Sequence, residues 1–129
     1  MAFVRFVIRN LDCDSGRRQG LFQALGDLHD RGELSPEEQG TYDETYEWFR
    51  KNLRKPRSFA KSSKPHAKKV ALSWLRDTAT EHVRRMHDLA AILEAHGILT
   101  EMLRTNRPGY IVYEDRHQVA AEPFGDTGA

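Results

Sequence analysis

Nine of the chain's twenty Lys and Arg residues fall within residues 50–69: Arg50, Lys51, Arg54, Lys55, Arg57, Lys61, Lys64, Lys68 and Lys69. That stretch holds no Asp or Glu, while residues 1–49 carry five basic against ten acidic side chains and residues 70–129 carry six against nine. The net charge of +1 therefore hides a strongly cationic segment between two acidic ones. Charge separated in this way points to an anionic partner, or to an acidic surface elsewhere on the same protein. Single-stranded nucleic acid is held by cations that follow the phosphates and by aromatic faces on which bases stack. Both ingredients occur together here. Arg54, Arg57, Lys61, Lys64, Lys68 and Lys69 are the candidate phosphate contacts, and Trp48 and Phe59 the candidate stacking faces. Phe49 and Trp74 lie close by, but their positions suit core packing. The chain has neither an aromatic RNP motif nor a Cys/His zinc module.

Other chemistry-bearing residues are more scattered. Ser15-Gly16-Arg17-Arg18-Gln19-Gly20, read as the start of the first helix, could offer backbone N–H groups and the guanidiniums of Arg17 and Arg18 to a phosphate or carboxylate. Arginines in a first helical turn oppose the dipole, which is a small reason to expect a ligand there. Its glycine spacing is not that of a P-loop, and no Gly-Lys-Ser/Thr follows. His66 lies among Lys64, Lys68 and Lys69, whose charges favour the neutral imidazole, a form usable as a general base. His82 and His87 are five residues apart and cannot share a helix face as metal ligands, so neither a metal nor another cofactor is expected. Cys13 is the only thiol, which rules out an intramolecular disulfide, and its neighbours Asp12 and Asp14 disfavour a thiolate. No Ser/His/Asp spacing or nucleophile-elbow pattern appears.

The elements that must position these groups can be read from periodicity. Phe3, Val4, Phe6, Val7 and Ile8 are β-formers with Arg5 and Arg9 on one face, which reads as a strand. Leu21, Phe22, Leu25 and Leu28 recur at helical spacing up to Gly32. Ser35, Pro36 and Glu38 form a capping box with Pro in the first turn, opening a second helix with Tyr42, Tyr46, Phe49 and Leu53 along one stripe and Pro56 as its stop. Residues 56–69 then read as a long solvent-facing basic loop. Val70, Leu72 and Trp74 mark a strand. Thr78 and Glu81 suggest a second capping box, and Val83, Met86, Ala90 and Leu93 a third helix that ends at Gly97. Residues 98–105 read as a strand, which should run parallel to the one before the helix if the two share a sheet. Arg107-Pro108-Gly109 suggests a tight turn returning Tyr110 to Glu114 antiparallel to it, with residues 117–121 as a weaker last strand.

The expected fold is α+β: a four- or five-stranded mixed sheet covered by three helices, with a C-terminal β-hairpin and the basic loop. Residues 1–124 form one domain and 125–129 a frayed tail. The hydrophobic fraction of 39% and charged fraction of 30% fit a small folded domain with a charged surface. Arg5 and Arg9 interrupt the first apolar run, and no run approaches a membrane span, so a cytoplasmic protein with no membrane partner is expected, bacterial or phage-like in its compactness.

Three functions follow from these residues. The first is a small non-enzymatic protein binding nucleic acid or another phosphate-bearing ligand through the basic segment. The second is an interaction or inhibitor module, homo-oligomeric or docking on an acidic protein, with Asp43, Glu44 and Glu47 as a counter-surface and Tyr110 to Glu114 as an edge for strand addition. The third, an enzyme acting on phosphoryl groups or nucleotides, requires Arg17, Arg18, Lys64 and His66 to converge.

Overall fold

The computed structural model describes residues 2–11, 18–54 and 71–123. The elements are β1 (Phe3–Leu11), β2 (Arg18–Gly20), α1 (Leu21–Asp30), α2 (Pro36–Asn52), β3 (Leu72–Arg76), α3 (Thr80–Ala95), β4 (Glu101–Thr105), β5 (Tyr110–Glu114) and β6 (Gln118–Glu122). The fold is α+β, with three helices and a six-stranded sheet among the described residues. The expected basic loop at 56–69 and the tail at 125–129 lie outside those residues.

Among the described residues every strand pairing is antiparallel, where the sequence suggested a mixed sheet of four or five strands. The reason is the position of β1. Phe3 pairs with both Thr105 and Arg76, so β4 and β3 occupy opposite edges of β1. The strands flanking α3 therefore do run parallel to each other, as their connection requires, but β1 lies between them. Val7 likewise pairs with both Glu101 and Gly20, which places β2 on the same edge of β1 as β3, further along the strand. The sheet thus reads β4, β1, then β3 with β2 beyond its end, then β6 and β5.

The tight hairpin expected at Pro108-Gly109 does not join neighbouring strands, because β4 pairs with β1 while β5 pairs with β6. These two strands are the opposite edges of the sheet. In a flat sheet they would lie about 19 Å apart, whereas four connecting residues reach at most about 18 Å. The sheet curls to close that distance. Leu103 of β4 and Ile111 of β5 accordingly pack against the same inner cluster of Phe3, Leu72, Trp74 and Val119. Gly109, at φ 136°, is what the connection requires where it passes the Glu122 backbone.

The opposite face of the sheet carries Val4, Phe6, Ile8 and Leu75, which join Leu21, Leu25 and Leu28 of α1, Phe49 of α2 and Met86, Leu89 and Leu93 of α3 in the larger core. Helix starts follow local chemistry only in part. At α2 the Ser35 hydroxyl accepts from the Glu38 amide and the Glu38 carboxylate accepts from the Ser35 amide, the capping box its sequence announces. α1 begins at Leu21 rather than Arg17, because residues 18–20 pair with β1. α3 is capped by Ala79 with no side-chain bond, and the Glu81 carboxylate accepts from Arg85 instead of closing a box with Thr78.

Candidate functional site

The basic run begins inside α2 and leaves it at Leu53, whose φ of −137° ends the helix. Arg50, Lys51 and Arg54 are exposed there. Arg50 and Lys51 reach toward Glu47 at 3.8 and 3.9 Å, exposed pairs that cost little to break.

Beneath them the backbone is held from two sides. His82 of α3 is buried, and its Nε2 donates to the Asn52 carbonyl at 2.8 Å. A carbonyl only accepts, so the His82 proton resides on Nε2. Gln118 of β6 is buried too, and its Nε2 donates to the Arg54 carbonyl and to Asp115 Oδ2. The Asp115 carboxylate also accepts from the His117 and Gln118 amides and from the Tyr113 hydroxyl. Burial alone would raise the Asp115 pKa, but these donors outweigh it and hold it below its ordinary value. Burial lowers the His82 pKa, and the neighbouring His117, whose ring stacks on it at 4.4 Å, adds to that effect. The neutral imidazole that anchors Asn52 is therefore the favoured form. The root of the cationic segment is thus pinned to α3 and to the β5–β6 hairpin, while its first cations face solvent.

Trp48 belongs to the same cluster. Its ring meets the edges of Phe49 and His82, with centroids 5.2 and 4.7 Å away, and the Arg85 guanidinium lies 4.4 Å from its centre. Glu81 holds Arg85 there through a 2.9 Å ion pair. Trp48 is therefore half-buried with a cation beside it, and a base stacking on that face would have to displace Arg85.

Of the other residues singled out from sequence, Arg18 lies in β2 ahead of α1, not in the first turn of the helix. Arg17, Arg57, Phe59, Lys61, Lys64, His66, Lys68 and Lys69 lie outside the described residues, as does any convergence of Arg17, Lys64 and His66. Glu47 of the acidic counter-surface is already engaged by Arg50 and Lys51, and Asp43 Oδ1 accepts from the Gln39 side-chain Nε2 at 2.8 Å. The anchoring pair His82 and Gln118 was not foreseen. A signal for His82 existed: it falls at i, i+4, i+7 and i+11 with Met86, Leu89 and Leu93, the buried stripe of α3. Gln118 had none, since the carbonyl it anchors, that of Arg54, comes from a distant segment.

Beside this cluster β1 and β3 separate. They pair only at Phe3–Arg76 and Val4–Leu75, and beyond that point a cavity of about 320 Å³ opens between them. Residues of both strands, α1, α2 and α3 line it, including Leu53 and Ala71 on either side of the basic segment. No described helix is long and apolar enough to cross a membrane.

Compared with protein-family models, curated proteins and solved structures, the chain matches none.

Proposed function

We propose that the chain is a small cytoplasmic binding protein that contacts nucleic acid, or another phosphate-bearing ligand, through residues 50–69. The observation that supports this reading is the contrast at the segment's root: Asn52 and Arg54 are anchored through their carbonyls by buried His82 and Gln118, while Arg50, Lys51 and Arg54 are exposed. An anchored start lowers the ordering cost of presenting nine cations to a polyanion. The lone Cys13 fits a reducing compartment.

The test is fluorescence anisotropy of labelled single-stranded RNA, single-stranded DNA and duplex DNA, at low and physiological salt. Reversing Arg54, Arg57 and Lys61 to Glu should weaken binding at least tenfold and flatten its salt dependence, each lost phosphate contact removing about 0.7 to 0.9 from the log–log slope. Unchanged affinity in the reversed variant sinks the proposal.

A protein-interaction module is the second reading. It is favoured by β5, an edge strand whose Tyr110 is 53% exposed. Salt-sensitive self-association without nucleic acid would support it. The bulge between Ile111 and Tyr113 weighs against it, because bulges commonly blunt strand addition at an edge.

A further inference from the structure

We infer that the cavity between β1 and β3 is a binding site for a small, flat, uncharged aromatic molecule carrying one hydrogen-bond acceptor. This goes beyond the reading above and does not depend on it, since an uncharged ligand needs none of the cations of residues 50–69.

Three observations support this inference. The cavity is set by topology: β3 leaves β1 after two paired residues, and β2 joins β1 only from Val7 onward, so the space between Arg5 and Phe6 on one strand and Ser73 and Trp74 on the other is not closed by a ladder. At about 320 Å³ it lies at the lower end of ligand pockets, the size of one or two fused rings and their clearance.

Its walls are aromatic. Phe6, Phe22, Phe49 and Trp74 all line it, with leucines and Met86 filling the intervals. Rings presented from different elements favour a flat aromatic guest in stacked or edge-on contact. Ser73, though in the middle of a strand, is exposed and lines the cavity, so a polar substituent can be met there.

Trp74 sets the polarity. Its side chain is 1% exposed, and among the described residues its indole Nε1–H has no acceptor. A buried donor without a partner is costly, and a guest that supplies an acceptor removes that cost. Trp74 lines the cavity, and a shift of its ring toward the gap between β1 and β3 would accompany the bond. Among the described lining groups Arg5 is the one ionisable side chain, it already has a partner of its own, and none of them is a carboxylate, so nothing there calls for a charged guest.

The chain has two tryptophans, Trp48 and Trp74, so its indole N–H region in a ¹H–¹⁵N correlation spectrum holds two resonances, assigned by Trp48→Phe. Coumarin, two fused rings with a lactone carbonyl, is the probe. Naphthalene, of similar shape without the acceptor, is its control. Coumarin should shift the Trp74 indole resonance downfield in a saturable way and leave that of Trp48 in place, and naphthalene should bind about tenfold more weakly. Ser73→Phe, which fills the cavity from an exposed position, should abolish the shift while the amide spectrum stays dispersed. If coumarin leaves the Trp74 resonance of the unmodified protein unmoved up to its solubility limit, or moves that of Trp48 instead, there is no such site. Equal affinity for naphthalene would refute the acceptor requirement.

Discussion

His82 and His117 stack with ring centroids 4.4 Å apart and 30° between their planes, one on a helix and the other in the turn between β5 and β6. Two imidazoles so close disfavour a second positive charge, and burial has already lowered the His82 pKa below its ordinary 6.5. The groups facing His82 are His117 and Asp115 of the hairpin, Glu81 of its own helix, and Trp48, Phe49 and the Asn52 carbonyl of α2. A histidine whose folded pKa is depressed binds its proton more readily when unfolded. The stability it contributes is therefore complete above about pH 6.5 and is lost as pH falls from there toward its folded pKa. Urea denaturation from about pH 8 to about pH 5 should show this loss. His82→Gln, which retains a donor toward Asn52 but does not titrate, should flatten it. The same slope in both proteins would mean that another group is responsible. Asp115 acts at lower pH, because its carboxyl is held below its ordinary value and loses its contribution only on deeper acidification.

Gln118 is the second anchor, and its removal should be felt at the root of the basic segment. Gln118→Met preserves volume but leaves the Arg54 carbonyl without its buried donor and removes one donor from Asp115. The expected cost is about 1–3 kcal/mol. Hydrogen exchange should accelerate at Leu53 and Arg54 more than in the middle of α2. Uniform acceleration across the domain would show that Gln118 supports only global stability.

Two glycines should respond to alanine with opposite signs. A Cβ at Gly109 would stand 2.1 Å from the Glu122 carbonyl oxygen, with φ at 136°, so neither the side chain nor the backbone conformation is tolerated. Gly109→Ala should cost about 3 kcal/mol or more, loosening the link that curls the sheet. Gly40 lies in α2 with open space around it. Gly40→Ala should stabilise by about 0.5–1 kcal/mol. Thermal unfolding of the two variants tests both the curl and the helix.

Local signals were legible where neighbours in sequence do the chemistry. Ser35, Pro36 and Glu38 cap α2 with one another, and Gly97, at φ 78°, closes α3 by letting the Ile98 amide reach the Leu93 carbonyl. Strand pairing was not legible, because it is decided by distant partners. Pro108-Gly109 reads as a hairpin turn, yet β4 takes the free edge of β1 and leaves β5 to β6. Ala120 and Ala121 are weak strand formers, but they are buried between β3 and β5, where position outweighs propensity. The candidate site divides in the same way. Its cations were visible as composition, whereas the carbonyl anchors exist only once α3 and β6 are folded against the end of α2.

The Glu38–His96 contact gives a final prediction, because one carboxylate serves two elements. Glu38 Oε1 accepts from the Ser35 amide at 2.9 Å and lies 2.8 Å from His96 Nε2, so the start of α2 is tied to the end of α3. The Ser35 amide chiefly, and then His96, hold the Glu38 pKa below its ordinary 4.5. Ser35→Ala removes the hydroxyl that accepts from the Glu38 amide and should cost about 1 kcal/mol. Glu38→Gln keeps an oxygen in both contacts and removes only the charge. Because the new side chain would keep the same oxygen toward Ser35 and His96 in this half-buried contact, Glu38→Gln should unfold at nearly the temperature of the unmodified protein and Ser35→Ala a few degrees lower. The reverse order would show that the ion pair with His96, and not the hydrogen-bonded cap, holds the start of α2 in place.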